Sequence, residues 1–239
     1  MSFKPVRVNN TKIYPFKNFD QLLQFCENEK KILIAINARK IINEDPNLKD
    51  LIHHNIGYVD GVGAKIAIRK KTGLTVAKIP GCELWLEIIK KFQKTKSFYF
   101  IGSKDRVIEA TVKKLKQDFP NIKIKGYRNG YIKSEEERNA LYRDLKKKKP
   151  SIIFVAMGSP RQEYFMRDCL AVHPALYQGL GGSFDVYLGN KKRPPKLLID
   201  FGLEGAALAV TEGLKSPWQR TKRSFTVLKM FFMLYTNKI

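Results

Sequence analysis

Acidic residues are scarce in this chain. Its 239 residues include 22 Asp and Glu against 45 Lys and Arg, which gives a formal net charge of +23 at pH 7. A surface with that charge attracts phosphates, acidic substrates or an anionic membrane. The sequence has no Cys/His zinc spacing, no aromatic RNP-like strand and no basic heptads, which are common signatures of nucleic-acid binding. Nucleic acid is therefore not an expected partner, although charge alone leaves it open.

Cysteines, cofactor fingerprints and long apolar runs are also rare or missing. Cys26, Cys82 and Cys169 are odd in number and widely spaced, which predicts reduced, buried thiols in the cytoplasm. No run approaches the roughly 18 apolar residues that cross a bilayer, and residues 1–10 lack the apolar core of a signal peptide. Neither a GxGxxG fingerprint nor a P-loop is present, so neither NAD nor ATP is supported and no cofactor is expected.

What is present is a regular alternation of short apolar runs with amphipathic segments. The apolar runs have the length and the β-branched content of buried strands. The predicted core strands are 31–37, 56–59, 97–101, 122–126, 152–157 and 175–180. Strands that alternate with helices in this way indicate a mostly parallel sheet covered on both faces. The predicted fold class is therefore α/β, a Rossmann-like αβα sandwich.

Turn and cap residues mark several boundaries within this pattern. The pair Asn9-Asn10 tolerates left-handed backbone and predicts an N-terminal hairpin. Asp20 is a predicted helix N-cap, and Ser134 is another that begins a capping box. Pro46 must lie at a break or at the start of a helix.

Two strands end abruptly in glycine and polar residues. The stretch Gly57–Gly63, GYVDGVG, contains Asp60, and the stretch Ser151–Met166 contains Gly158 and Gln162. Open α/β sheets bind ligands at the carboxyl ends of their strands, where loops and helix N-termini expose polar groups. We therefore expect all three residues at one functional edge, although a lone Asp in this position could simply cap the following helix.

The character of the chain changes after Lys191. The run KKRPPK (191–196) is a basic, proline-broken linker, and the remainder has a helical pattern. We therefore predict a catalytic domain over 1–195 and a helical appendage over 196–239. Residues 216–238 contain no acidic residue, and Trp218, Phe225, Leu228, Phe232 and Tyr235 share an arc of roughly 100° on a helical wheel. Such a helix suits an anionic membrane interface, although it could also pack on its own core.

A series of motifs is recognisable between residues 30 and 204. In chain order these are AINARKI, YVDGVG, IGSK, RNGYI, VAMGSPRQE, GLGGSFDV, KKRPPK and GLE. Together they resemble the WecG/TagA/CpsF glycosyltransferase family. The segment VAMGSPRQEYFMRDC in particular resembles the members of that family that act in the synthesis of enterobacterial common antigen.

The resemblance implies a peripheral enzyme on the cytoplasmic face of a bacterial inner membrane. It implies inverting, metal-independent transfer of N-acetylmannosaminuronic acid from UDP to N-acetylglucosamine linked to undecaprenyl diphosphate. The proposed general base of the family's YxDG motif corresponds to Asp60, where a carboxylate could accept the proton of the attacking hydroxyl. Asn37 and Gln162 match positions that line the family's pocket. No metal site is expected, since the adjacent His53 and His54 point about 100° apart on a helix.

Departure of UDP without a metal requires cations and backbone N–H groups around the diphosphate. The turn Gly181-Gly182-Ser183 is a candidate anion nest. Arg220 and Arg223 match arginines of the family's C-terminal appendage. Lys78 stands where relatives commonly carry Arg, so the charge is kept but the bidentate geometry is lost. The candidate cations are Lys78, Arg161, Lys192, Arg193, Arg220 and Arg223.

Two alternatives stay open at this level. The same fold could use UDP-N-acetylmannosamine or another UDP-hexose, as in relatives that build teichoic acid, capsule or O-antigen. A protein of another class, which binds nucleic acid or anionic lipid, could also carry a charge of +23. A nucleic-acid-binding protein would bind duplex DNA with a steep salt dependence and would gain no stability from UDP.

Overall fold

The computed structural model describes residues 4–191 and Thr236. The strands within this part of the chain are β1 (Val6–Val8), β2 (Thr11–Ile13), β3 (Ile32–Ile36), β4 (Ile56–Val59), β5 (Ser97–Gly102), β6 (Lys123–Arg128), β7 (Ile152–Ala156) and β8 (Leu176–Gly179). The helices are α1 (Phe19–Cys26), α2 (Ala38–Ile42), α3 (Pro46–His54), α4 (Val62–Thr72), α5 (Gly81–Phe92), α6 (Asp105–Asp118), α7 (Glu135–Lys148), α8 (Arg161–Val172) and α9 (Ser183–Tyr187).

Six strands form one sheet in the order β4-β3-β8-β7-β5-β6. The pairs β3–β8, β8–β7, β7–β5 and β5–β6 are all parallel. Helices flank this sheet, so the fold is the Rossmann-like α/β sandwich that the sequence predicts. All six predicted strands are present. Most of them are apolar runs, as strands buried on both faces must be, whereas β6 lies at the edge of the sheet and has no buried residue.

The sheet order creates a topological switch point between β5 and β7. The chain leaves β5 towards β6 on one side, and it leaves β7 towards β8 on the other side. Loops that diverge in this way open a crevice outside the carboxyl ends of the two strands, where α/β proteins bind ligands. The residues after Gly102 and after Ala156 are therefore placed at the sheet's functional edge.

Contacts within the chain divide it into two compact units. The first unit includes residues 4–18 and 35–80, and the second unit includes residues 19–34 and 81–191. The predicted boundary between residues 195 and 196, and the appendage that follows it, lie outside the described residues, Thr236 excepted. The split into a catalytic domain and an appendage therefore stays a prediction.

The first unit begins with the predicted hairpin. β1 pairs with β2 in antiparallel register from Val6 opposite Ile13 to Val8 opposite Thr11. Asn9 and Asn10 form the turn with φ angles of 45° and 55°, which is the left-handed geometry that asparagine tolerates best after glycine. The hairpin prediction is confirmed.

Aromatic rings fill the core of the second unit. The Trp85 ring meets Phe154 and Phe184 edge-on, with centroids 5.9 and 5.7 Å apart, and Phe100 stacks on Phe154 at 5.5 Å. Trp85 is fully buried, and its Nε1–H donates to the Cys82 carbonyl at 3.0 Å. Buried aromatic pairs of this geometry add to the free energy of burial itself, so α5, β7 and α9 are fixed to one another.

Helix boundaries follow the predicted caps in part. The Ser134 side chain accepts from the Glu137 N–H at 3.3 Å, so this cap is confirmed. Pro46 is the first residue of α3, as one of the two predicted alternatives required. The Asp20 prediction is wrong, because α1 begins at Phe19 and Asp20 lies in its first turn. An acidic side chain suits either place, since both lie at the positive end of the helix dipole.

The three cysteines are free thiols, but they are not all buried. Cys26 and Cys169 are buried, whereas Cys82 is partly exposed at the start of α5, which corrects the prediction for that residue. Burial raises the pKa of both Cys26 and Cys169 to about 12. The thiolate is the reactive form of cysteine. The two buried residues are therefore unreactive for two reasons: reagents cannot reach them, and their thiols stay protonated.

We expect iodoacetamide at pH 8 to modify Cys82 well before Cys26 or Cys169 in the folded protein. The reason is the partial exposure of Cys82 together with the raised pKa of the two buried thiols. Peptide mass spectrometry along a time course measures the three rates. Unfolding in urea is the control and should equalise them, while equal rates in the folded protein would contradict the described burial.

Candidate active site

Asn37 and Asp60 lie side by side at the carboxyl ends of β3 and β4. Each residue directly follows its strand, and the Asp60 N–H donates to the Ile36 carbonyl at 3.0 Å. A Cβ placed on Gly61 would lie only 3.2 Å from the Asn37 Cβ. The backbone after β4 therefore passes directly beside Asn37, and two of the predicted site residues are brought together within the first unit.

Lys78 joins this group through the backbone. The Ile79 N–H donates to the carbonyl of Val59, the last residue of β4, at 2.7 Å. Lys78 and Asp60 are the chain neighbours of the two residues in this hydrogen bond, and both are partly exposed. A carboxylate and a cation therefore share one edge of the first unit.

Of the two polar residues at this edge, Asn37 caps a helix and Asp60 does not. Asn37 is the N-cap of α2, where its Oδ1 accepts from the Lys40 N–H at 3.2 Å. The N-cap of α4 is Gly61, not Asp60. The structure therefore does not assign Asp60 the cap position that was the simplest alternative to a chemical role.

In the second unit, Gln162 fastens two loops together. Its side chain is buried, and its Oε1 accepts from the Gly158 N–H at 3.1 Å and from the Gly181 N–H at 2.9 Å. Its Nε2 lies against Gly179, where an added Cβ would come within 2.4 Å of that nitrogen. One amide side chain thus sets the distance between the loop after β7 and the turn after β8.

Gly158 and Gly181, whose N–H groups donate to Gln162, both have backbone angles that favour glycine. Gly158 has a backbone φ of 82° and Gly181 a φ of 56°. Residues other than glycine rarely adopt such angles. No atom of the described residues lies within 4 Å of a Cβ added at Gly158, Gly181 or Gly182. The backbone here is accessible to a ligand.

The predicted anion nest at Gly181-Gly182-Ser183 uses much of its hydrogen-bonding capacity inside the chain. The Gly181 N–H donates to Gln162, and the Ser183 N–H donates to the Leu180 carbonyl at 3.1 Å. The Ser183 hydroxyl also donates to that carbonyl, at 2.6 Å, and its side chain is buried. Two of the three N–H groups of the nest are therefore engaged, so phosphate binding by this turn stays a prediction.

A large cavity lies at the carboxyl end of β5, within the second unit. Its volume is about 830 Å³. Ser103 and Lys104 directly follow β5, Tyr131 follows β6, and Asp185 belongs to α9. The residues that line the cavity are Ser103, Lys104, Arg106, Val107, Ala110, Tyr131, Asp185, Leu188 and Asn190.

The polar lining of this cavity combines opposite charges with an exposed aromatic ring. Asp185 Oδ2 accepts from the Ser103 hydroxyl at 3.4 Å. Lys104 and Arg106 supply two cations, and the Tyr131 side chain is 50% exposed. A carboxylate can accept two neighbouring hydroxyls, an aromatic face can stack on a base, and cations can bind phosphate.

No role was predicted from the sequence for the residues of this cavity. Four of them, Ser103, Lys104, Tyr131 and Asp185, lie in the motifs IGSK, RNGYI and GLGGSFDV, which span the ends of β5, β6 and β8. The position of each motif directly after a strand is the signal that could have indicated them, because these ends face the functional edge of the sheet.

Several predicted residues lie outside the described part of the chain. These residues are Lys192, Arg193, Arg220 and Arg223, so their roles stay predictions. Arg161 is the exposed first residue of α8. Within residues 4–191, no three His, Cys, Asp or Glu side chains are grouped closely enough to hold a metal ion. None of the described helices is both long and apolar enough to cross a bilayer.

The parallel sheet and the polar cavity at its carboxyl edge are features of an α/β enzyme that binds small molecules. A model of the glycosyl transferase WecG/TagA/CpsF family matches residues 4–239. This match covers almost the whole chain, which therefore belongs to that family. The protein is a glycosyltransferase of cell-surface polysaccharide synthesis, and it acts on a sugar donor and an acceptor.

Proposed function

We propose that the chain transfers N-acetylmannosaminuronic acid from UDP to N-acetylglucosamine linked to undecaprenyl diphosphate. The transfer inverts the anomeric centre, requires no metal and takes place on the inner face of the bacterial inner membrane. This is the activity of WecG in the synthesis of enterobacterial common antigen. The observation that carries the proposal is Asp60, a carboxylate at the end of a buried strand that does not occupy the cap position of the next helix.

In the proposed reaction, Asp60 accepts the proton of the acceptor hydroxyl. The hydroxyl oxygen attacks the anomeric carbon of the donor from the face opposite UDP. A new carbon–oxygen bond forms, the bond between the sugar and the diphosphate breaks, and its electron pair leaves with UDP. Lys78 lies at the same edge as Asp60. It is a candidate to stabilise the negative charge that develops on the departing diphosphate.

The cavity after β5 supports a nucleotide donor. In the proposal, Asp185 accepts hydrogen bonds from two neighbouring ribose hydroxyls, and the uracil ring stacks on Tyr131, since both residues line the cavity. Lys104 and Arg106 offer positive charge for the diphosphate. These residues belong to the second unit, and the proposal assigns the donor nucleotide to that unit.

We expect Asp185→Ala to weaken the binding of UDP by at least roughly tenfold. One hydrogen bond to a charged group contributes about 1.5–3 kcal/mol, which is roughly 10- to 150-fold in affinity, and the variant removes two such bonds. Isothermal titration with UDP measures the change. The matched control is Glu109→Ala, which removes an exposed carboxylate from α6 outside the cavity. Unchanged UDP affinity in Asp185→Ala would show that the nucleotide binds elsewhere.

The reaction itself is tested with two donors in one assay. UDP-N-acetylmannosaminuronic acid and UDP-N-acetylmannosamine are each incubated with a short-chain lipid diphosphate that carries N-acetylglucosamine, and the products are identified by mass spectrometry. We expect a product from the first donor, and we expect a chelator to leave the rate unchanged. A product from UDP-N-acetylmannosamine alone would show that N-acetylmannosamine, and not N-acetylmannosaminuronic acid, is the transferred sugar. Binding of duplex DNA without stabilisation by UDP would contradict the proposal.

A further inference from the structure

Helix α4 and the turn after it expose a basic and apolar surface of the first unit. Ala64, Ala67 and Ile68 are buried on one side of the helix. Five exposed residues from the opposite side and the following turn define what we call the α4 surface: Lys65, Ile66, Arg69, Lys70 and Leu74. On a helical wheel the four residues from α4 span an arc of roughly 140°, with Ile66 between Arg69 and Lys70.

The α4 surface holds the exposed aliphatic side chains of the described chain. Ile66 is 36% exposed and Leu74 is 44% exposed, and the other exposed large hydrophobic residues within 4–191 are tyrosines. Leu74 is held in place: Gly73 ends α4 with a φ of 71°, and the Leu74 N–H donates to Thr72 Oγ1 at 3.2 Å. The exposed leucine is thus presented by a fixed turn and not by a loose loop.

The charge around these two residues is of one sign. From Gly61 to Cys82 the chain contains no Asp or Glu, and its basic residues are Lys65, Arg69, Lys70, Lys71 and Lys78. A cationic border around exposed aliphatic residues suits contact with an anionic membrane surface. Long basic side chains there extend along apolar surface while their charges reach the head groups.

We propose that the α4 surface binds an anionic lipid bilayer directly. Phosphates of a nucleic acid would also meet the cations, but exposed Ile66 and Leu74 gain nothing from a phosphate backbone, whereas both gain from burial among acyl chains. Helix α4 begins two residues after Asp60. The surface therefore brings the proposed base close to the lipid that carries the acceptor, and in this respect the inference rests on the proposed function.

The charged part of the surface is tested with Lys65→Gln/Arg69→Gln in the full chain. The matched control is Lys113→Gln/Lys116→Gln on α6, which removes the same charge from exposed positions of the second unit. We expect the first pair to weaken sedimentation with equimolar phosphatidylglycerol and phosphatidylcholine vesicles by on the order of tenfold at physiological salt, and the control pair by less than about twofold. Equal losses would mean that only net charge matters and would overturn the proposal.

The apolar part of the α4 surface is tested by measuring how deeply residue 74 enters the bilayer. Leu74→Trp places a fluorophore on the surface, and Tyr127→Trp places one on β6 of the second unit, where the native side chain is similarly exposed at 45%. We expect brominated lipid in the same vesicles to quench Leu74→Trp more strongly than Tyr127→Trp or the unchanged chain. Equal quenching in all three proteins would show that Leu74 does not enter the bilayer, and the proposal would fail.

Activity separates this inference from the proposed function. With an acceptor analogue that is soluble without vesicles, Lys65→Gln/Arg69→Gln should turn over like the unchanged chain. If the unchanged chain transfers no sugar at all while the vesicle results hold, the proposed function fails and the α4 surface stands. If the variant loses duplex DNA binding but keeps vesicle binding, the surface is a nucleic-acid site and the proposal is overturned.

Discussion

Replacement of Asp60 by Asn is expected to lower the turnover number by a factor on the order of 10² to 10⁴, which is the usual contribution of a general base. Asparagine keeps the shape of the side chain but cannot accept the proton of the attacking hydroxyl. The backbone hydrogen bond from the Asp60 N–H to Ile36 does not involve the side chain, so it is retained. Initial rates with saturating donor and acceptor measure the effect.

The same variant should bind UDP as tightly as the unchanged chain, because the cavity that we assign to the nucleotide belongs to the other unit. Loss of turnover together with unchanged UDP affinity separates loss of the base from damage to the donor site. Asp50→Asn is the matched control, since Asp50 is an exposed acid on α3 in the same unit. Near-normal turnover of Asp60→Asn would show that another group accepts the proton.

The strands could be predicted closely from the sequence. β4 spans Ile56–Val59 as expected, and β3 spans Ile32–Ile36 within the predicted 31–37. A strand buried on both faces leaves a continuous apolar run that ends where polar residues begin. Helix ends were less accurate, because a helix can begin a residue or two before its clearest cap. α1, for example, begins at Phe19 although Asp20 was its predicted N-cap.

The order of the strands could not be predicted in the same way. β8 lies between β3 and β7, and its register sets Tyr177 opposite Ile32. These two residues are far apart in sequence, and an apolar run carries no information about which other run it pairs with. Only the parallel direction followed from the alternation of strands and helices. The switch point between β5 and β7 therefore came from the structure, and so did the cavity beside α6.

The candidate site also has a part that could be predicted from the sequence and a part that could not. Asn37 ends one predicted strand and Asp60 follows the next, so their presence at the same edge of a parallel sheet was foreseeable. The cavity was not, because Ser103, Tyr131 and Asp185 come from three separate connections. The hydrogen bonds of Gln162 were equally hidden: the sequence indicated a polar residue near a helix N-terminus, but not the two glycine N–H groups that it binds.

Replacement of Gln162 by Leu is expected to lower both stability and activity. Leucine fills a similar volume but accepts no hydrogen bond, so the N–H groups of Gly158 and Gly181 lose their shared acceptor. Each partly buried N–H left unsatisfied costs about 1–2 kcal/mol, which gives roughly 2–4 kcal/mol in the free energy of unfolding. Urea denaturation followed by circular dichroism measures this loss, and transfer assays on the folded fraction measure the activity.

Gln162→Glu distinguishes a positioning role from direct contact with the donor. A carboxylate keeps an acceptor for both glycine N–H groups, and two such bonds favour the charged form even where the side chain is buried. If Gln162 acts by holding the two loops, the Glu variant should keep most of the stability and turnover that the Leu variant loses, while exposed Gln117→Leu should change neither. If Gln162→Glu is stable but inactive, the amide nitrogen is needed for the chemistry, and the direct contact predicted from the sequence is the better account.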